Sequence, residues 1–413
     1  MTVIGLPEKD KPDREEWRGV RFRRVPQTGQ LLEKVPKTIR YRERLRGLAR
    51  LFKSSNPEPA ADPPAESPRE PAGRVVENAS SMARTGVGRH LANLRARWEG
   101  IMQWRQWIRV GLDEHADVYH AHDLDTLYQA MTCARRRRAK LVYDSHELWI
   151  DWKYNKLGDA LHQVRNLATI EEQGSRIADL VITVSEGIAD ELVRLYRIAR
   201  PLVLRNVAAH TPLVRSNKLR ESIGGDPART IALYQGGFAE GRSLMELLDV
   251  ARSVPDADFV FMGPESTFKQ RMVAQARDLP NAHFLPGVSY DELLAFTCSA
   301  DVGFVLTQPA CLSYKLSLSN KVFEYMMAGL PIIASTIQSH RDLADETGAL
   351  ALADPGDAIE IARAVRQLLD HPAKRKAMGQ QAREWAERKY NANLEMAKLV
   401  AAYQRLADGT ANI

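Results

Sequence analysis

From Asp117 onward the chain alternates between short apolar runs and amphipathic helical stretches. ADVYHAH, AKLVYDSH, DLVITVS and PLVLRNV read as strands. Helical patterns lie between them, up to about Arg138, through IEEQGSRIA and over EGIADELVRLY. A second alternating set begins at RTIALYQGG and continues through DFVFMG, AHFLPG, DVGFVLT and LPIIAS. Apolar strands separated by helices predict parallel sheets with crossover helices. The two sets flank residues 208–228, which hold few apolar positions and carry Gly224, Gly225 and Pro227. The expected fold class is therefore α/β, with two doubly wound, Rossmann-like domains facing a cleft. Residues 1–207 form the first domain, 208–228 a linker, 229–390 the second domain and 391–413 a final helix.

The first part of the chain is less regular. TVIGLP and GVRFRRVP are strand-like, and a basic helical stretch interrupted by Pro36 follows. Residues 56–72, within an insertion over 54–75, are rich in proline and polar residues and cannot bury a core, so disorder is expected there. A helical stretch over about 78–110 interleaves Trp98, Trp104 and Trp107 with Arg97, Arg105 and Arg109.

Composition narrows the class. At 413 residues, 44% hydrophobic and 27% charged, the chain can bury two sizeable cores. No apolar run reaches the roughly 20 residues that span a bilayer, and no signal peptide is evident. Cys133, Cys298 and Cys311 are far apart, with neither metal spacing nor a disulfide pattern, which suits a reducing cytoplasm. The net charge of +6 is uneven, because residues 21–50 hold ten Lys and Arg against two acidic residues. Residues 21–53 and 97–109 point to peripheral contact with an anionic membrane. A solvated basic face is the alternative. Nucleic acid is not expected, since the arginine-rich segment over 21–50 has neither an interleaved aromatic platform nor a recognised nucleic-acid-binding fold.

Ligands of doubly wound sheets bind beyond the carboxyl ends of the strands, so the residues there carry the candidate chemistry. After IALYQ, Gly236 and Gly237 allow close backbone approach, and Arg242 stands at the start of the next helix, a suitable receptor for a diphosphate. Gly263 ends another strand. In LSNKVFEYMMAGLPIIAS, Ser319 can cap a helix beginning near Asn320, and Gly329 with Pro331 stops it. Helical spacing aligns Glu324 with Asn320, Lys321 and Ala328. The carboxylate can accept hydrogen bonds from two ribose hydroxyls, while Lys321 or Asn320 faces phosphate. An exposed Lys–Glu helix face would explain the same pattern. His120, His122 and His146 lie at or just after strand ends near Asp123, Asp125 and Glu147. One of these histidines could hydrogen-bond a sugar. No H-E-x-x-H or similar spacing occurs, so no metal is expected.

Several of these stretches, in this order, resemble family 4 glycosyltransferases of the GT-B fold. SLSNKVFEYMMAGLPIIAS resembles the donor-site signature and LYQGGFAEGRSLMELL the phosphate loop. ADVYHAHDLDTLYQA, KLVYDSHELW, ADLVITVSEGIADEL and VLRNV resemble the N-terminal domain of bacterial members. The resemblance implies retaining transfer from a nucleotide diphosphate sugar to a saccharide or lipid-linked acceptor, without metal or other cofactor, in cell-surface polysaccharide assembly. It makes Glu324 the ribose ligand, Arg242 the diphosphate ligand, and Asn320 and Lys321 parts of the same motif. His122, then His120, would touch the transferred sugar. Cytoplasmic location at the inner face of the membrane follows. The chain departs from the pattern in three ways: Leu316 replaces the first glutamate of E-x7-E, Gly237 replaces a basic residue, and a first strand–loop–helix unit is expected to be missing before TVIGLP. A sugar-nucleotide epimerase of the same architecture and a non-catalytic nucleotide-sugar-binding protein are the alternatives.

Overall fold

The computed structural model describes residues 2–5, 14–17, 20–24, 102–151, 161–213 and 216–409. The proline-rich insertion, the basic helical stretch before it, and Arg97 and Trp98 lie outside these residues. The chain divides into two compact units, Met1–His115 and Ala116–Ile413.

In the first unit β1 (Thr2–Gly5) runs parallel to β3 (Val20–Arg24), and β2 (Arg14–Trp17) pairs antiparallel on its other side. The sequence pattern does not mark β2. A helix covers 102–113. Trp104 and Trp107 are half-buried on it, whereas Arg105 and Arg109 are exposed.

The second unit holds two parallel sheets. The smaller runs β4 (Val118–His122), β5 (Lys140–Ser145), β6 (Leu180–Thr183) and β7 (Leu202–Val203) in order. The larger has the order β10-β9-β8-β11-β12-β13. Its strands are β8 (Thr230–Gln235), β9 (Ala257–Met262), β10 (Ala282–Leu285), β11 (Val302–Val305), β12 (Ile332–Ser335) and β13 (Leu350–Ala353). All its pairs are parallel. β13, in GALALAD, is a strand the sequence pattern does not mark. The order reverses between β8 and β11, so the topological switch point lies at their carboxyl ends, where such sheets bind ligands.

Strands buried on both faces explain the continuous apolar runs. Every residue of β9, β11 and β12 is buried. One core, with Phe259, Phe261 and Phe304, covers one face of the larger sheet. The other, with Val322, Phe323, Tyr325 and Met326 of helix Asn320–Met327, covers the opposite face. The last helix, Ala392–Ala407, packs Leu399, Tyr403 and Leu406 against Val142 and Ile182 of the smaller sheet.

The two halves of this unit also meet at the short helix Leu312–Leu316. Ser313 Oγ donates to Glu147 Oε2 at 2.6 Å and accepts from Leu148 N at 3.1 Å, and Ser313 N donates to Asp151 Oδ2 at 2.8 Å. Leu316 packs with Leu148, Val184 and Ile188, and a β-carbon on Gly187 would lie 2.9 Å from its Cδ2. A partly buried apolar contact thus occupies the position where the family resemblance would place a glutamate. Among the described residues no helix is long and apolar enough to cross a membrane.

Candidate functional site

The helix Asn320–Met327 buries Val322, Phe323, Tyr325, Met326 and Met327 and leaves Asn320, Lys321 and Glu324 as a polar stripe. Phe323 and Tyr325 are fully buried, and Tyr325 anchors the helix to the end of β8. Its hydroxyl donates to Leu233 O at 3.1 Å and accepts from Gln235 N at 3.0 Å. Gly303 gives room for this ring, since a β-carbon there would lie 2.6 Å from it. Glu324 reaches the carboxyl end of β8, where Gln235 closes the strand. Gln235 Nε2 donates to Glu324 Oε2 at 2.6 Å. Ser319 occupies the N-cap position with extended backbone, but its side chain makes no capping bond. Gly329 takes the left-handed conformation that ends the helix, at φ 70°. Asn320 is exposed.

Lys321 folds over the same strand end. Its Nζ lies 5.9 Å from the Tyr234 ring centroid. Its Cε fills the space a side chain on Gly236 would need, 2.5 Å from where a β-carbon would stand, and Gly236 itself has φ 123°. Both facts require glycine there. Burial, then repulsion from Arg242, pushes the Lys321 ammonium down to about 8, with Glu324 acting in the opposite sense. Arg242 also opposes the upward shift that burial gives the Tyr234 phenol. Glu324, Lys321 and Arg242 thus form one electrostatic group at the end of β8. Gly237 is exposed with open space around it, and its carbonyl accepts from Tyr234 Oη at 2.6 Å. Gly263 permits direct contact with the Gly236 carbonyl. Behind the glycines Lys269, nearly fully buried, donates to Gly263 O, Leu285 O and Glu265 Oε1 at 3.1, 2.9 and 2.6 Å.

A second cluster stands at the carboxyl ends of β4 and β5. Alternation along β4 puts His120 and His122 on one face, and the parallel register pairs His122 with Asp144. Asp144 Oδ2 lies 3.5 Å from His120 Nε2, 3.3 Å from His122 Nδ1 and 3.2 Å from His146 Nε2. Burial alone would raise the Asp144 carboxyl, but the three imidazoles outweigh it and hold it well below the usual carboxylate range. Asp144 in turn raises His146, against the effect of burial. His120 Nδ1 is 2.7 Å from Tyr403 Oη, so both its nitrogens face protein groups. The His122 side chain is 60% exposed and presents its imidazole outward. Asp123 adopts φ 63°, strained for a residue other than glycine, and its Oδ1 accepts from His146 N and Trp149 Nε1, both at 3.0 Å.

The donor atoms of His120, His122 and Asp144 lie within 4.8 Å of one another, within the reach of a divalent cation. The two rings, however, are stacked, with centroids 4.2 Å apart and planes 14° apart. In-plane lone pairs on parallel stacked rings do not converge on one ion, so this arrangement fits a hydrogen-bonded cluster better than a metal centre.

The fold is that of known GT-B glycosyltransferases. Residues 242–401 match the family model described as glycosyl transferase-like, and residues 60–206 match that of glycosyltransferase family 4. The chain is a homologue of glycosyltransferases and has GT-B architecture. It is 28% identical over 222 residues to a sulfoquinovosyl transferase of Arabidopsis thaliana, covering 52% of this chain and 42% of the relative. It is 28% identical over 180 residues to a 2-deoxystreptamine glucosyltransferase of Streptomyces kanamyceticus, covering 43% and 44%. The chain spans less than half the length of these curated relatives. Sucrose-phosphate synthase from Thermosynechococcus elongatus superposes with a TM-score of 0.68 at 16% identity, over 99% of this chain and 89% of that one. Anabaena HepE in complex with UDP-glucose superposes with a TM-score of 0.58 at 17% identity, over 72% and 82%.

Proposed function

We propose that the protein transfers a sugar from a nucleotide diphosphate sugar to a saccharide or lipid-linked acceptor, with retention at the anomeric carbon, in cell-surface polysaccharide assembly. The observation that carries this reading is the grouping of Glu324, Lys321 and Arg242 at the switch point of the larger sheet. A carboxylate beside two cations suits a ligand with hydroxyls at one end and a diphosphate at the other. The Anabaena neighbour was crystallised with UDP and with UDP-glucose, which supports a nucleotide-sugar donor.

In this reading Glu324 accepts the ribose hydroxyls. Arg242 and Lys321 hold the diphosphate and stabilise the negative charge that grows on it as the glycosidic bond breaks. Asn320, Gly236, Gly237 and Gly263 shape the same donor pocket. His122, the outward imidazole of the second cluster, hydrogen-bonds the transferred sugar, with His120 behind it. Closure of the two halves excludes water and suppresses hydrolysis. The protein works in the cytoplasm, with residues 21–53 and 97–109 resting on the inner face of an anionic membrane.

Product analysis tests the proposal. Incubation with a panel of nucleotide sugars and lipid-linked acceptors should yield a glycoside of retained configuration. Donor epimerisation with no acceptor present would instead mark an epimerase, and donor binding without any turnover a non-catalytic binding protein.

A further inference from the structure

Glu324 does not stand alone at the end of β8. Gln235, the last residue of that strand, is 2% exposed and spends its whole side chain on two partners. Its Nε2 donates to Glu324 Oε2 at 2.6 Å. Its Oε1 is 2.8 Å from Thr297 Oγ1, and Thr297 is 1% exposed at the end of helix Tyr290–Thr297. The direction of this relay is fixed by chemistry. An ionised carboxylate only accepts, so the amide must turn its NH2 toward Glu324. The amide oxygen then faces the threonine hydroxyl. That hydroxyl carries one proton and has a second acceptor, Leu293 O, at 2.7 Å. Donation to Leu293 alone would leave two buried acceptors facing each other 2.8 Å apart, so the proton serves Gln235.

We infer that Gln235 and Thr297 are positioning residues that make the donor site selective for ribonucleotides. This deepens the donor-site reading proposed above and rests on it. Gln235 occupies Oε2 and holds the carboxylate in one rotamer, so that Oε1 is presented to the ligand. A carboxylate already fixed by a buried donor loses little freedom when the ribose arrives. Without Gln235 the same carboxylate can swing toward Lys321, whose ammonium it already feels. It would then partly neutralise the cation that faces the diphosphate. Selectivity for a ribose bearing both hydroxyls should therefore fall while affinity for the diphosphate portion changes less.

The test compares two ligands on the full chain. The first is whichever of ADP, GDP, UDP and CDP binds the wild-type protein most tightly, and the second is its 2′,3′-dideoxy counterpart. Wild type should prefer the ribonucleotide. In Gln235→Met that preference should shrink about tenfold, the size expected from losing one hydrogen bond to a charged group. Thr297→Val should shrink it in the same direction but less, and Gln235→Glu, which sets a second carboxylate against the first, should abolish it. Thermal unfolding of each variant checks the fold, and Thr297→Val decides the matter if Gln235→Met does not fold. An unchanged preference in folded Gln235→Met or Thr297→Val overturns the inference while leaving the donor site standing. Failure of wild type to bind any of the four nucleotides overturns the donor-site reading itself, and this inference with it.

Discussion

The carbonyl oxygen of Gly236 sits 2.0 Å from where a β-carbon on Gly263 would be. Two glycines from adjacent strands are thus interlocked at the end of the larger sheet, with Lys321 laid against one of them. Gly263→Ala cannot be absorbed by a side-chain rotation, because the clash is with backbone. It should lower stability by about 2–4 kcal/mol, displace the Gly236 turn and abolish nucleotide binding. Calorimetric unfolding with a nucleotide titration on the same sample checks both effects.

On the proposed function, Lys321 should give nucleotide binding a pH dependence. Its free-state value of about 8 means the ammonium begins to lose its proton just above neutrality. A bound diphosphate favours the charged form, so binding takes up a proton there. Affinity should be highest below pH 8 and fall as the pH rises, by up to about tenfold per unit until the bound-state value is reached. Lys321→Met should bind weakly with a flat profile from about pH 7 to 10. Isothermal titration in buffers of different ionisation enthalpy reports the proton uptake directly.

Stability should have its own pH dependence, seated away from the Glu324, Lys321 and Arg242 group. Glu171 is completely buried, accepting from Tyr143 Oη and Tyr196 Oη at 2.8 and 2.9 Å. Burial pushes its carboxyl up to about 7, although the two phenols oppose the rise. A raised value means the contribution is complete below pH 4.5 and is lost as the pH climbs through 7, an effect on the order of 3 kcal/mol. Glu171→Gln should remove that slope. Chemical denaturation of both proteins between about pH 4.5 and 8 measures the difference, which cancels titration shared by the two.

The histidine cluster should act on turnover rather than on donor binding. His122→Ala removes the outward imidazole and is expected to reduce kcat about tenfold, the size of one lost hydrogen bond, with nucleoside diphosphate affinity unchanged. His120→Ala, which also breaks the contact with Tyr403 on the last helix, should additionally lower the melting temperature.

Much of the second unit was legible because strands buried on both faces leave continuous apolar runs, and helices between them leave an obvious period. The place of Glu324 at the strand end was legible for a related reason: it is a carboxylate in a narrow polar stripe, with Asn320 and Lys321, on an otherwise apolar helix. Gln235 was not, since a glutamine at a strand end looks like ordinary solvation until Thr297, distant in sequence, is brought beside it. Asp144 was missed likewise. Its role follows from the register that places it opposite His122, and no local spacing encodes that pairing. β13 escaped because its alanine-rich run is weakly apolar, and it becomes a strand by pairing with β12. The packing role of Leu316 depends on contact with Gly187 in the other half of the unit.

On the proposed function, Glu324 grips the ribose of a nucleotide whose diphosphate is held by Arg242 and Lys321. Nucleoside diphosphate binding to wild type, Glu324→Ala and Arg242→Ala, measured by isothermal titration, addresses it most directly. Wild type should bind, and each variant, folded as judged by its melting curve, should bind at least about tenfold more weakly. Wild-type affinity in both folded variants would contradict it.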